Sequence, residues 1–159
     1  MMEFFWGRPQ LLPIGAVVNR YKSTEFTSPT RSTVPLLSLL KDDKPLFKSL
    51  LGSMHMPEDS NLCLEYTVKP PKGTGKVSCT DLMVISGGAA LAIEAKWTED
   101  RYETVKNWLQ KGSGHSNRQT VIDGWLGLLQ KHSILPLTPA SFSDAVYQID
   151  LAPENWPRN

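Results

Sequence analysis

The sequence has few cysteines, no long apolar run and almost no net charge, and each shortage excludes a class of protein. Its two cysteines, Cys63 and Cys79, are too few for a disulfide framework, and the scattered histidines form no metal-binding pair beside them. We therefore expect two buried thiols in a cytoplasmic protein. No apolar stretch approaches the roughly 20 residues of a membrane-spanning helix. The N-terminus also lacks the basic-then-apolar pattern of a secretory signal.

The balance of charge limits how the protein could bind nucleic acid. In a chain of 159 residues, 17 Lys and Arg face 16 Asp and Glu, which gives a formal net charge of +1. This balance excludes a histone-like polycation, so any contact with nucleic acid must come from local basic patches. The length suits one domain with its own core. We expect an irregular arm over residues 1–34, a single domain over 35–150 and a tail over 151–159.

The hydrophobic pattern predicts a mixture of helices and strands. Leucines recur at helical spacing over 35–51, where Pro45 should divide the stretch and Asp43 should cap its second half. Strands are predicted over 62–68, 77–85 and 89–97. Later elements are a helix over 101–111, a second helix around Val121–Leu129, a short edge strand over 134–137 and a last helix over 141–149. This order predicts a mixed α/β or α+β sandwich.

A glycine pair between the second and third strands sets the most informative register. If Gly87 and Gly88 form a two-residue hairpin loop, Asp81 lies directly opposite Glu94. Facing residues share one side of a sheet with Cβ atoms about 5 Å apart. Lys96 is two residues beyond Glu94 and joins that face, because side chains alternate along a strand. The pattern therefore predicts two acids and a lysine on one face of a hairpin.

Two carboxylates held so close need a compensating cation. At about 5 Å and an effective dielectric constant of about 20 their repulsion is roughly 3 kcal/mol. Hard carboxylate oxygens suit Mg²⁺ or Mn²⁺, and a neighbouring lysine can orient a water and stabilise developing negative charge. These residue types predict metal-dependent hydrolysis of phosphodiesters. The alternative is that Glu94 and Lys96 form an exposed ion pair on an edge strand.

The segment Thr80-Asp81 followed by Glu94-Ala95-Lys96 resembles the core motif of the restriction-endonuclease-like, PD-(D/E)XK, nuclease superfamily. The resemblance covers roughly residues 35–135, with Thr80 in place of the name-giving proline. The stretch from 80–86 through 93–99 is similar to uncharacterised bacterial restriction-endonuclease-like proteins. It implies a restriction-endonuclease-like core, with a central mixed sheet flanked by helices, and Mg²⁺-dependent cleavage of nucleic acid, usually DNA. Asp81 and Glu94 match the metal-binding acids, and Lys96 matches the catalytic lysine.

The resemblance sets the expected function and its alternative. We expect a Mg²⁺-dependent deoxyribonuclease in the cytoplasm, with Mn²⁺ able to substitute, DNA as partner and no membrane contact. The sequence does not fix the oligomeric state, although a homodimer would suit an enzyme that cuts both strands, which often uses two subunits. The alternative is an inactive protein of the same fold that binds nucleic acid or a protein partner.

Further residues are candidates around this motif. Glu65 would face Asp81 as an additional metal-binding acid if the intervening loop bends symmetrically about Gly73; otherwise it is an outward-facing polar residue. Gln119 is either a polar residue near the metal or half of a capping box with Ser116. The expected nucleic-acid contacts are Lys69, Lys72, Lys76, Lys111, Arg118 and Gln119. Any single lysine among them is also explained by loop solubility. The Lys72–Lys76 segment is too short for a phosphate-binding P-loop, which excludes an ATPase.

Overall fold

A mixed sheet of five strands organises the protein. The computed structural model describes residues 3–7, 11–28, 31–96, 103–111 and 117–145. The strand order in the sheet is β2-β1-β3-β4-β5, with β1 parallel to β3, and with the β1–β2 and β4–β5 pairs antiparallel. The strands are β1 Glu3–Trp6, β2 Leu11–Leu12, β3 Asn61–Val68, β4 Ser78–Ser86 and β5 Ala89–Ile93. The expected mixed sheet is therefore present.

The β4–β5 hairpin has the register that the sequence predicts. Ser86 pairs with Ala89 and Leu82 pairs with Ile93, and the ladder between them has no slip. Gly87 in the turn takes a φ of 55°, a left-handed value that glycine adopts without a Cβ clash. The hairpin prediction is confirmed.

Six α-helices accompany the sheet in the described residues. The predicted division near Pro45 is confirmed: one helix ends at Lys41, the next begins at Lys44, and the Asp43 side chain accepts the Leu46 N–H at 3.3 Å. Proline is tolerated in the first turn because its missing N–H would have no partner there. The helices are α1 Ile14–Val18, α2 Ser23–Thr27, α3 Thr33–Lys41, α4 Lys44–Ser53, α5 Val105–Gln110 and α6 Asn117–Leu129.

The chain divides into two compact units. The first comprises residues 1–67, 79–99 and 150–159, and the second comprises 68–78 and 100–149. In the first unit Leu82 and Val84 of β4 pack with leucines of β3 and with Leu36, Leu40 and Leu51 of α3 and α4. Leu91 and Ile93 of β5 pack against the same cluster. Alternation along β4 and β5 therefore turns Asp81 and Glu94 away from this core.

The second unit has a smaller apolar cluster of its own. Val105 of α5 and Ile122 and Leu126 of α6 are buried together, with Trp108 packed against them. Trp125 is also buried, with 2% of its surface exposed. The two tryptophans of these helices therefore belong to apolar packing.

Several elements differ from the prediction. The segment 3–28 contains β1, β2, α1 and α2, so it is more regular than the expected arm. Helix α5 begins at Val105, where the Thr104 side chain caps it by accepting the Asn107 N–H, and not near residue 101. The segment 134–137 is not a strand, and 139–142 forms a short 3-10 turn in place of the start of a long helix. Within the described ranges, no helix is long and apolar enough to cross a membrane.

Candidate active site

The end of the β4–β5 hairpin brings the predicted acids together. Continuing the observed register by one residue beyond the Leu82–Ile93 pair places half-buried Asp81 beside Glu94. The carboxylate of Asp81 accepts a hydrogen bond from the backbone N–H of Ala95, with 2.9 Å between Oδ2 and N. Since β5 ends at Ile93, this bond replaces the backbone ladder at that point. It fixes the Glu94-Ala95-Lys96 segment against β4.

Lys96 lies against the second acid. Its Nζ is 3.0 Å from Oε2 of Glu94, and the two side chains are 39% and 17% exposed, respectively. The amine is therefore open to solvent, whereas the carboxylate is mostly covered. Ala90 and Ala92 of β5 are exposed and belong to the same face as Glu94. Their small side chains add little bulk to this face.

Glu65 of β3 approaches the same place in a strained conformation. Its φ is 50°, a left-handed value that is uncommon for a residue with a Cβ and costs on the order of 1 kcal/mol or more. Its Oε2 accepts a hydrogen bond from the Cys79 thiol, with 3.1 Å between oxygen and sulfur. The phenol of Tyr21 donates a second hydrogen bond to the Glu65 carboxylate. The structure thus brings Glu65 to Cys79, two residues before Asp81 on β4.

The charges of this cluster are coupled. Burial raises the pKa of Glu65, and the negative charge of Asp81 raises it further, whereas the hydrogen bonds from Cys79 and Tyr21 lower it. Burial and the Glu65 charge also raise the pKa of Tyr21 above its ordinary value. Both shifts have the sign expected where carboxylates crowd one region.

Aromatic packing holds the Tyr21 ring in place. Trp6 meets it edge-on with ring centroids 4.8 Å apart, and Phe26 does so at 6.2 Å. Trp6 therefore packs within the protein. No sequence signal identified Tyr21, because it contacts Glu65 only through tertiary structure.

Cys79 differs from the expectation of two buried thiols. Cys63 is buried but Cys79 is exposed, and both are free. Desolvation of its thiol, the hydrogen bond to Glu65 and the nearby charges of Glu65, Asp81 and Glu94 raise the pKa of Cys79 to about 12. The prediction of a second buried cysteine was wrong because β4 directs Cys79 to the face that carries the acids.

This shift predicts slow alkylation of an accessible cysteine. Since the thiolate is the nucleophile, Cys79 should react with iodoacetamide near pH 8 roughly 100-fold or more slowly than it does in the urea-unfolded chain. Mass spectrometry of timed digests measures the rate. Glu65→Gln removes a hydrogen-bonded charge and should accelerate the reaction in the folded protein. Equal rates in the folded and unfolded chains would contradict this account of the cluster.

The remaining predicted residues lie in the second unit and have varied surroundings. Nζ of Lys111 lies 2.8 Å from Oε2 of Glu103, with which it forms an ion pair. Nε2 of Gln119 donates a hydrogen bond to Oδ1 of Asp123, with 2.8 Å between the two atoms. The guanidinium of Arg118 lies 5.2 Å from the ring centroid of Trp108 and donates to its carbonyl oxygen. Ser116, the capping alternative for Gln119, is outside the described residues. The other three predicted contacts are exposed, and among the described residues they have no such ion pair or stacking partner: Lys69, Lys72 and Lys76.

The donor set at the hairpin suits a hard divalent ion. Mg²⁺ is commonly held by one or two carboxylates, with water and substrate phosphate completing its octahedron. Asp81 and Glu94 supply two carboxylates on one face, with Glu65 near Asp81. In the part of the chain that the structure describes, no three His, Cys, Asp or Glu side chains form a group that could ligate a metal by themselves. The residues fit an ion that relies on water and phosphate ligands, and do not form an all-protein cage.

Comparison with known proteins places the chain in a family. The family model for a domain of unknown function, DUF6946, matches residues 15–149. The chain belongs to this family. Comparison with curated proteins and with solved structures gave no match. The DUF6946 domain spans Tyr21, Glu65, Asp81, Glu94 and Lys96, so all the groups of the candidate site fall within it.

Proposed function

We propose that this DUF6946 protein is a divalent-metal-dependent nuclease that hydrolyses phosphodiester bonds, with DNA as the expected substrate. One observation carries the proposal: the hairpin register and the Asp81–Ala95 bond put two carboxylates on one face, and Lys96 lies 3.0 Å from the second. The order of these residues along β4 and after β5 supports a restriction-endonuclease-like core. A cytoplasmic location and a homodimer belong to the same proposal.

The roles of the residues follow from their chemistry. Asp81 and Glu94 would hold the ion, and Glu65 would bind it or adjust the charge near it. Bound Mg²⁺ supplies positive charge that offsets the charge developing on the phosphate. Lys96 orients the attacking water and donates to a phosphate oxygen as negative charge grows. One phosphorus–oxygen bond forms to the water and one breaks to the leaving sugar oxygen, which leaves a phosphate monoester and a hydroxyl.

Cleavage assays with and without metal test the proposal. Plasmid, linear duplex, single-stranded DNA and RNA are incubated with the protein in Mg²⁺, Mn²⁺ or EDTA. We expect products with either ion and none with EDTA, and a loss of at least about 100-fold in Glu94→Gln, because a ligand charge is removed. Glu58→Gln is the matched control, since Glu58 forms an exposed ion pair with Lys48 on the surface.

The outcomes separate the proposal from its rival. A Glu94→Gln variant that cuts as fast as the parent, or a parent that cuts none of the four substrates, would remove the catalytic assignment. The second candidate is a protein of the same fold that binds nucleic acid without cutting it. The ion pair between Lys96 and Glu94 favours it, because the lysine at 3.0 Å neutralises the second acid without a metal ion. Binding of DNA with no cleavage in any metal would select this candidate.

A further inference from the structure

The β3–β4 loop is a basic segment with an exposed surface. We use the name basic loop for residues 69–77, which join β3 to β4. Lys69, Lys72 and Lys76 are all exposed, and the loop contains no acidic residue. No carboxylate of the described ranges pairs with any of the three. The loop therefore presents three cationic side chains to solvent.

Helix α6 holds the backbone of this loop through one side chain. The N–H of Thr74 donates to Oδ1 of Asn117 at 2.6 Å, and Nδ2 of Asn117 donates to the carbonyl oxygen of Thr74. The amide thus satisfies both backbone groups of one loop residue, as a neighbouring strand would. An exposed loop that water could solvate is instead attached to the first residue of α6.

Two glycines allow the loop and the helix to approach closely. Gly73 has a φ of 77°, and a Cβ there would lie 2.7 Å from Oδ1 of Asn117. A Cβ on Gly124 of α6 would lie 2.8 Å from the backbone nitrogen of Lys72. The backbone of the loop therefore rests directly on the helix, and Lys72 is at the point of contact.

Docking of this kind is not needed for solubility. Lysines that only keep a loop soluble work equally well on a mobile segment, whereas a ligand with regularly spaced charges is bound more tightly by cations that are already ordered. The sugar–phosphate backbone is such a ligand, and phosphate contacts supply most of non-specific affinity. Lys111 and Arg118 are already engaged, by Glu103 and by Trp108, and the basic loop has no comparable partner.

We propose that the basic loop, attached to α6 through Asn117, is the surface that contacts the phosphate backbone of bound nucleic acid. Lys69, Lys72 and Lys76 make the phosphate contacts, and Asn117 is a positioning residue that acts through Thr74. This inference deepens the proposed function by naming its binding surface. It concerns binding alone and is measured without divalent ions.

Fluorescence anisotropy of labelled duplex DNA, single-stranded DNA and RNA in EDTA, over a series of KCl concentrations, tests the surface. Each phosphate contact adds about 0.7 to 0.9 to the slope of log affinity against log salt. The triple variant Lys69→Ala, Lys72→Ala, Lys76→Ala should therefore lose about two to three units of slope and at least about tenfold in affinity at low salt. The control removes the same charge from α3 and α4: Lys41→Ala, Lys44→Ala, Lys48→Ala.

Asn117→Ala tests the positioning role with all lysines present. We expect a smaller salt slope and faster hydrogen exchange at Thr74, while exchange in β4 stays slow. A purely structural contribution would lower stability without changing the salt slope. If Asn117→Ala keeps the parental slope, Asn117 has no positioning role.

The remaining outcomes distinguish this inference from the proposed function. Loop variants that bind like the parent, or no more weakly than the α3–α4 control, would overturn the inference even if the parent cleaves DNA. Binding that depends on the loop in a protein that never cleaves would support the inference and remove the nuclease proposal. A parent that binds none of the three nucleic acids in EDTA would overturn the inference, and the cleavage assays with Mg²⁺ or Mn²⁺ would still decide the nuclease proposal.

Discussion

Asp81→Asn is expected to lower the rate of metal-dependent cleavage at least about 100-fold while the protein stays folded. Asparagine keeps a side-chain oxygen in the position that accepts the Ala95 N–H, so the connection between β4 and the end of β5 survives. It removes the negative charge that a divalent ion requires. Calorimetric titration with Mn²⁺ should show weakened binding alongside the lost activity. Thermal unfolding of the variant is the measurement that checks whether the fold is retained.

Lys96→Met separates metal binding from catalysis. Lys96 lies 3.0 Å from Glu94 and carries positive charge, so its removal should leave Mn²⁺ affinity equal or higher. Cleavage should still fall by about 100-fold, because a group that orients water and stabilises developing charge is lost. Asp123→Asn is the matched control for Asp81→Asn. Asp123 is an exposed carboxylate, and the contact that the structure gives it is a hydrogen bond from Gln119. Parental Mn²⁺ binding in Asp81→Asn, or parental cleavage in Lys96→Met, would refute the assigned roles.

The part of this site that sequence could predict is the part fixed by a local turn. A two-residue loop at Gly87-Gly88 sets every pair of the β4–β5 ladder, and the observed Leu82–Ile93 pair follows from it. The division of α3 from α4 is local in the same way, because Asp43 caps within its own turn. Periodicity fails where strands end: the apolar run over 89–97 continues past Ile93, although the strand stops there.

The parts that sequence missed depend on contacts between distant segments. Tyr21 reaches Glu65 from a short segment after α1, and nothing near Tyr21 in sequence indicates a carboxylate. Asn117 reads as an ordinary residue at the start of a helix, but it binds a loop residue more than 40 positions away. Glu65 adopts a left-handed φ that no strand propensity predicts, and its carboxylate contacts Cys79 from a different strand. Strain of this kind is common at functional sites.

Gly124→Ala should destabilise the protein, although alanine is the better helix former. In an open helix interior the substitution would stabilise by about 1 kcal/mol. At Gly124 the new Cβ would lie 2.8 Å from the backbone nitrogen of Lys72, and a backbone atom cannot move aside as a flexible side chain can. Overpacking of this kind costs about 1–3 kcal/mol. The basic loop must lift from α6, which strains the Thr74–Asn117 hydrogen bonds.

Gly127→Ala supplies the matched control on the same helix. Gly127 is exposed and no atom lies within 4 Å of its added Cβ, so only the gain in helix propensity remains. The two variants should therefore shift the urea midpoint in opposite directions, with Gly127→Ala above the parent and Gly124→Ala below it. Hydrogen exchange over residues 69–77 should accelerate in Gly124→Ala alone. If both variants are stabilised equally, the loop does not rest on the helix at Lys72. The ordered array of lysines would then lose its structural basis, because its attachment to α6 depends on the space that Gly124 provides.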